Sequence, residues 1–161
     1  MHRTFAIALC VSSILACGET QTAATDAGVD EGAAACNQLT LPPSVAITAM
    51  SGTPAAAAGG TISDGTYVLT EVDDYNTGDA FAGQPAAGVL VVSGSTIDVA
   101  RLGAKGDVSR YSVTFSVSGT TLVETGTCGL AMPLSEGFTA TATSITLVDT
   151  SPAFVSVYTR M

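Results

Sequence analysis

Val92-Ser93-Gly94-Ser95-Thr96-Ile97 recurs almost unchanged as Val117-Ser118-Gly119-Thr120-Thr121-Leu122. Each is a tight turn between β-branched runs. Glycine stands at its first central position, where a two-residue type II′ hairpin needs a positive φ. Ala87–Val92 and Thr96–Leu102 therefore form one antiparallel pair, and Arg110–Val117 and Thr121–Thr127 a second. Val89 and Val91 are expected to share a face with Ile97 and Val99 across the first turn.

The same pattern extends in both directions. Gly65-Thr66 opens a strand running to Tyr75. Downstream, Phe138, Ala140 and Ala142 alternate with Thr139, Thr141 and Thr143. That period of two gives one buried and one wet face. Ser144–Thr150 and Ala153–Arg160 complete the series, with Pro152 in the connection, where a missing N–H does no harm. The result is an all-β fold of about eight short antiparallel strands. Sequential hairpins favour a small up-and-down barrel, in which the last strand closes on the first and removes both edges. A β-sandwich is the alternative. Upstream, Pro42-Pro43 and the run Pro54–Gly60 interrupt any long element, and Val45–Thr48 is expected as a short edge strand.

The beginning of the chain is of another kind. Met1–Thr4 carries Arg3, and Phe5–Leu15 is apolar apart from Ser12 and Ser13. A core this short does not span a bilayer, which takes roughly 20 apolar residues. Its length is that of a secretory leader. Ile14-Leu15-Ala16-Cys17 resembles the lipobox of bacterial lipoproteins, with Leu15 bulkier than the residue usual at its position. The resemblance implies cleavage of residues 1–16 and lipidation of Cys17, hence a membrane partner through an acyl anchor. Gly18 in place of Asp after the cysteine implies the outer membrane, facing periplasm or cell surface. Several acyl chains would hold it durably, at about 0.8 kcal/mol per buried methylene. Residues 17–35 then form a linker whose Gly18–Ala35 part, with Val29 its only larger aliphatic residue, is expected to be a disordered tether. The β domain occupies residues 36–161.

Composition narrows the chemistry. The formal charge is −9, and loss of Arg3 makes it −10. With no basic stripe, nucleic acid is not an expected partner. The lone histidine, His2, lies in the leader, so the domain offers no Ser-His-Asp triad and no His-ligated zinc. No cofactor motif is present, and an enzyme is not the expectation. Once Cys10 leaves with the leader and Cys17 takes the lipid, Cys36 and Cys128 remain as a pair in an oxidising compartment, and a disulfide is expected.

Three further groups of residues invite a functional reading. Glu71-Val72-Asp73-Asp74-Tyr75-Asn76-Thr77-Gly78-Asp79 is dense in oxygen ligands, with Asp73, Asp74, Asn76 and Asp79 the weak calcium candidates. Its spacing departs from the EF-hand, and a solvated rim loop is the plainer reading. Phe81, just beyond, is a mouth residue or a core plug. Arg101, Lys105 and Arg110 surround one turn and would grip an anionic partner or balance local charge.

The ends of the strand region, Gly65-Thr66-Tyr67 and Tyr158-Thr159-Arg160, resemble those of lipocalin-like (calycin) barrels. Those open on Gly-x-Trp and pack a last-strand basic residue over the ring; here Tyr67 replaces the Trp. The resemblance spans Gly65–Arg160. It implies a cation–π closure between Tyr67 and Arg160 and a small apolar ligand inside the barrel. A protein–protein module, such as an inhibitor of an exported enzyme or an envelope assembly or adhesion factor, is the alternative. Such a module would act through rim loops or the Cys36–Asp64 segment.

Overall fold

The computed structural model describes residues 36–161 except 79, 104, 105, 151 and 152. The leader, Cys17 and the tether therefore lie outside the described residues, as do Asp79 and Lys105. Among the described residues the fold is all-β, without a helix.

Nine strands form one sheet: β1 (Val45–Ala49), β2 (Gly65–Asp74), β3 (Pro85–Ser93), β4 (Thr96–Leu102), β5 (Val108–Ser118), β6 (Thr121–Cys128), β7 (Leu134–Ala140), β8 (Ser144–Thr150) and β9 (Ala153–Arg160). From β2 to β9 each strand pairs antiparallel with its successor. β9 then returns to β2, from Tyr67↔Arg160 to Asp74↔Phe154, and the ring closes. Both expected hairpins are present: Ser93 faces Thr96 and Ser118 faces Thr121, with Gly94 at φ +58° and Gly119 at φ +63°.

The register corrects one inward face. A two-residue turn pairs Val92 with Ile97 and Leu90 with Val99, so Val89 and Val91 point outward, opposite Ala100 and Asp98. The alternating Thr/Ala run also ends early. Thr141 Oγ1 accepts the Thr143 and Ser144 amides, at 3.2 Å and 3.0 Å, and turns residues 141–143 into the β7–β8 connection. A local hydroxyl–backbone bond here prevails over the strand propensity of threonine.

β1 is not an edge strand. β2 and β3 pair only over Gly65–Val68 and Val89–Val92, then part. β1 fills the opening, parallel to β2 at Ile47↔Val72 and antiparallel to β3 at Val45↔Ala86. The ring thus holds eight strands at one end, the base, and nine at the other, the mouth. Barrel diameter grows with strand number, so the mouth is the wider end. A bulge at Thr70 adds to the asymmetry: Leu69 pairs with Tyr158 but Glu71 with Val157, which turns Val72 and Asp74 inward and Glu71 and Asp73 outward.

The base is filled. Tyr67, Val113 and Phe138 are fully buried, with Leu122, Ile145, Ile97 and Val92 close behind. Each such side chain contributes about 1.5–3 kcal/mol through removal from water. The Tyr67 hydroxyl donates to the Ser63 carbonyl at 2.8 Å, which satisfies the polar tip of a core residue. Arg160 stands opposite Tyr67 as expected, but its guanidinium lies over Gly65 and donates to the Asp64 carbonyl at 2.7 Å. The cation–π contact found among the described residues is elsewhere, between Arg101 and Tyr111.

Cys36 and Cys128 form a disulfide across a sequence separation of 92. It ties the entering chain to the mouth end of β6. Asn37 Nδ2 adds hydrogen bonds to the Val99 and Tyr111 carbonyls, each at 3.0 Å.

Candidate functional site: a charged cup at the mouth

Above the packed base lies a cavity of about 680 Å³ that opens at the mouth. Its lower wall carries Leu69, Leu90 and Leu147, and Ile47 of β1 lines the mouth. Its upper wall carries Arg101, Glu124, Glu136 and Asp149, with Ser109 and Ser156 beside them, and Tyr158 lies lower, opposite Leu69.

Strand alternation places these charges. Arg101 follows Ile97 and Val99 along β4, and Asp149 follows Ile145 and Leu147 along β8. Glu124 follows Leu122 on β6, and Glu136 precedes Phe138 on β7. Every one stands in phase with buried core residues, so the pleat turns it inward. The interior is Val, Ile and Leu with Tyr67 and Phe138 at the base, and charged at the mouth. The signal was present in the sequence: charges on the apolar phase of four strands.

Glu124 and Glu136 are diagonal neighbours on one face, because Leu122 pairs with Glu136 and Glu124 with Leu134. Glu124 is 4% exposed, and neither carboxyl makes a hydrogen bond within the described residues. Arg101 sits at the rim with its Cζ 5.4 Å above the Tyr111 ring, and its Nε donates to Ser109 Oγ at 3.3 Å. Burial raises the pKa of Glu124 against the opposing pull of Arg101. Glu136 is pushed up to about 8 by burial first, then by Glu124 and Asp149, again against Arg101. Burial lifts Tyr111 to about 12 and raises Tyr158 as well, so both hydroxyls stay protonated and able to donate.

Phe81 is half-buried and packs against the core rather than lining the cavity. Its ring packs on Phe154 with centroids 5.5 Å apart, and Phe154 lines the cavity. The Arg101–Arg110 cluster separates: Arg101 shares the inner face with its register partner Ser109, whereas Arg110 pairs with Ala100 on the outer face and donates to the Leu39 carbonyl at 3.4 Å.

The acidic stretch does not converge. Asp73 and Asp74 fall on opposite faces of β2. Asp74 is fully buried, and its Oδ1 accepts the Asn76 amide at 2.8 Å and Asn76 Nδ2 at 2.6 Å. Its Oδ2 has no partner. Asn76 Oδ1 in turn accepts the Ala153 amide at 3.1 Å, so the pair staples β2 to β9 at the mouth. No group of three acidic, cysteine or histidine side chains among the described residues is placed to hold a metal ion.

Comparison with protein-family models, with curated proteins and with solved structures finds no match.

Proposed function

We propose that the chain is a lipid-anchored protein of the bacterial envelope that holds a small amphiphilic molecule in the mouth-side cup of its barrel. One observation carries the binding reading: the barrel is packed at its base yet keeps a cavity of about 680 Å³ with an apolar lower wall and a charged upper one. The volume lies in the range of small-molecule pockets, and the lining is polar and apolar in similar measure, which suits an amphiphile. The lipobox-like Ile14–Cys17 supports the anchor, and the residue after Cys17 supports the outer membrane. The cup's charges move the expected ligand from purely apolar to apolar with a polar head.

The test is a titration with the neutral fluorophore N-phenyl-1-naphthylamine. Saturable one-site binding that Ala86→Trp abolishes supports the reading, because Ala86 lines the cavity and an indole there fills it. Unsaturable binding, or binding unchanged by the plug, contradicts it. The rival is a protein partner at the rim, favoured by exposed Met50, Val108 and Met132 in or beside the mouth-end segments. A plug that leaves ligand binding intact would favour it.

A further inference from the structure

Resting on the cup as a ligand site, we infer that the ligand's head group is a protonated amine, seated between Glu124 and Glu136, with its apolar body against Leu69, Leu90 and Leu147. Glu124 is a carboxyl buried to 4% exposure that faces the cavity without a hydrogen bond. Glu136, its diagonal neighbour, lines the same cavity and also lacks one. A buried carboxylate is only an acceptor, and leaving it unpaired is costly. Glu124 and Glu136 in ionised form take N–H or O–H donors, and a donor that carries a positive charge both makes the strongest bonds and favours that ionised form.

Other ligand classes fit worse. An anion would meet Glu124, Glu136 and Asp149 against one guanidinium, and that guanidinium is already engaged with Tyr111 and Ser109. A bare metal ion needs converging ligands, and the described residues offer no group of three. It would also leave the apolar wall unused. An ammonium group on an aliphatic or aromatic body uses both walls, and the faces of Tyr111 and Tyr158 suit a cation.

Binding should release a proton. The titratable and charged groups facing Glu136 are Arg101 from β4, Tyr111 from β5, Glu124 from β6, Asp149 from β8 and Tyr158 from β9, with Asp107 in the loop after β4. Their balance keeps Glu136 largely protonated at neutral pH. An ammonium beside it favours the ionised form.

The experiment is calorimetry on the full chain carrying Cys17→Ser, with octylamine, octanol and octanoate in two buffers of different ionisation enthalpy. Octylamine is expected to bind at least about tenfold more tightly than either analogue, with proton release near pH 7. Glu124→Gln together with Glu136→Gln should erase that preference while octanol binding persists, which also shows that the variant is folded. Octanol or octanoate binding as well as octylamine overturns the amine assignment alone. Absence of binding by all three overturns the cup as a ligand site, and the amine with it.

Discussion

The hydroxyl of Tyr158 on β9 reaches past β2 to lie against Gly88 on β3, where an added Cβ would sit 3.0 Å from it. Gly88 stands inward between Ala86 and Leu90, and its missing side chain leaves the room that Tyr158 occupies at the floor of the cup. Gly88→Ala is therefore expected to destabilise the fold by about 1–2 kcal/mol through overpacking, although alanine ordinarily favours the folded chain. Tyr158→Phe should relieve part of the cost in the double variant, because the hydroxyl is the nearest atom. Thermal melts of the four proteins check this. A Gly88→Ala protein as stable as the parent would contradict the packing.

The cup makes stability depend on pH in an unusual direction. Glu136 binds its proton up to about pH 8 in the folded protein but releases it near 4.5 when unfolded. Between those values the folded chain holds more protons, so stability is fully present below about pH 4.5 and declines as pH rises toward 8. Glu124 shifts in the same direction and adds to the slope. Glu136→Gln should flatten the decline and raise stability at pH 8 by an amount on the order of 1–3 kcal/mol. Urea midpoints from pH 4.5 to 8.5 measure it. A parent whose stability rises steadily over that range would refute the assigned environment of Glu136.

The Cys36–Cys128 bridge closes a long loop, yet the β2–β9 ring closes without it. Reduction, or Cys36→Ser with Cys128→Ser, should lower stability by up to about 4–5 kcal/mol in the chain-entropy picture while leaving a β-rich circular dichroism spectrum. Denaturant titration with and without reductant reads both effects. Loss of all strand signal on reduction in dilute buffer would show that the ring depends on the bridge.

Much of this architecture is legible in the sequence. The strand series and the two hairpins follow from glycine at a fixed place in each turn and from the period of two. What local pattern does not carry is pairing at a distance. Nothing in Val45–Ala49 shows that β2 and β3 will part and admit it, since that opening is set by only four residues of direct β2–β3 register. The Thr70 bulge is equally silent, and it decides that Asp74 is buried while Asp73 is not. The site lies between these cases. Arg101, Glu124, Glu136 and Asp149 occupy the apolar phase of their strands, a conflict visible in one dimension. That they meet in one cup becomes visible only when the ring is closed.

The anchor yields a separate prediction. Cells making the chain should incorporate labelled palmitate into it, and Cys17→Ser should abolish the label and move the protein from the membrane to the soluble fraction. A label that survives the substitution would place the lipid elsewhere or reject the lipobox reading.

Whether the cup carries a molecule can be read by native mass spectrometry. The chain carrying Cys17→Ser would be recovered without detergent from the envelope of the cell that makes it, beside the same chain with Ala86→Trp. The expected result is a reproducible extra mass on the first protein, released on denaturation, and a bare polypeptide for the second. A bare mass for both, or an adduct that the plugged variant keeps, would contradict the account.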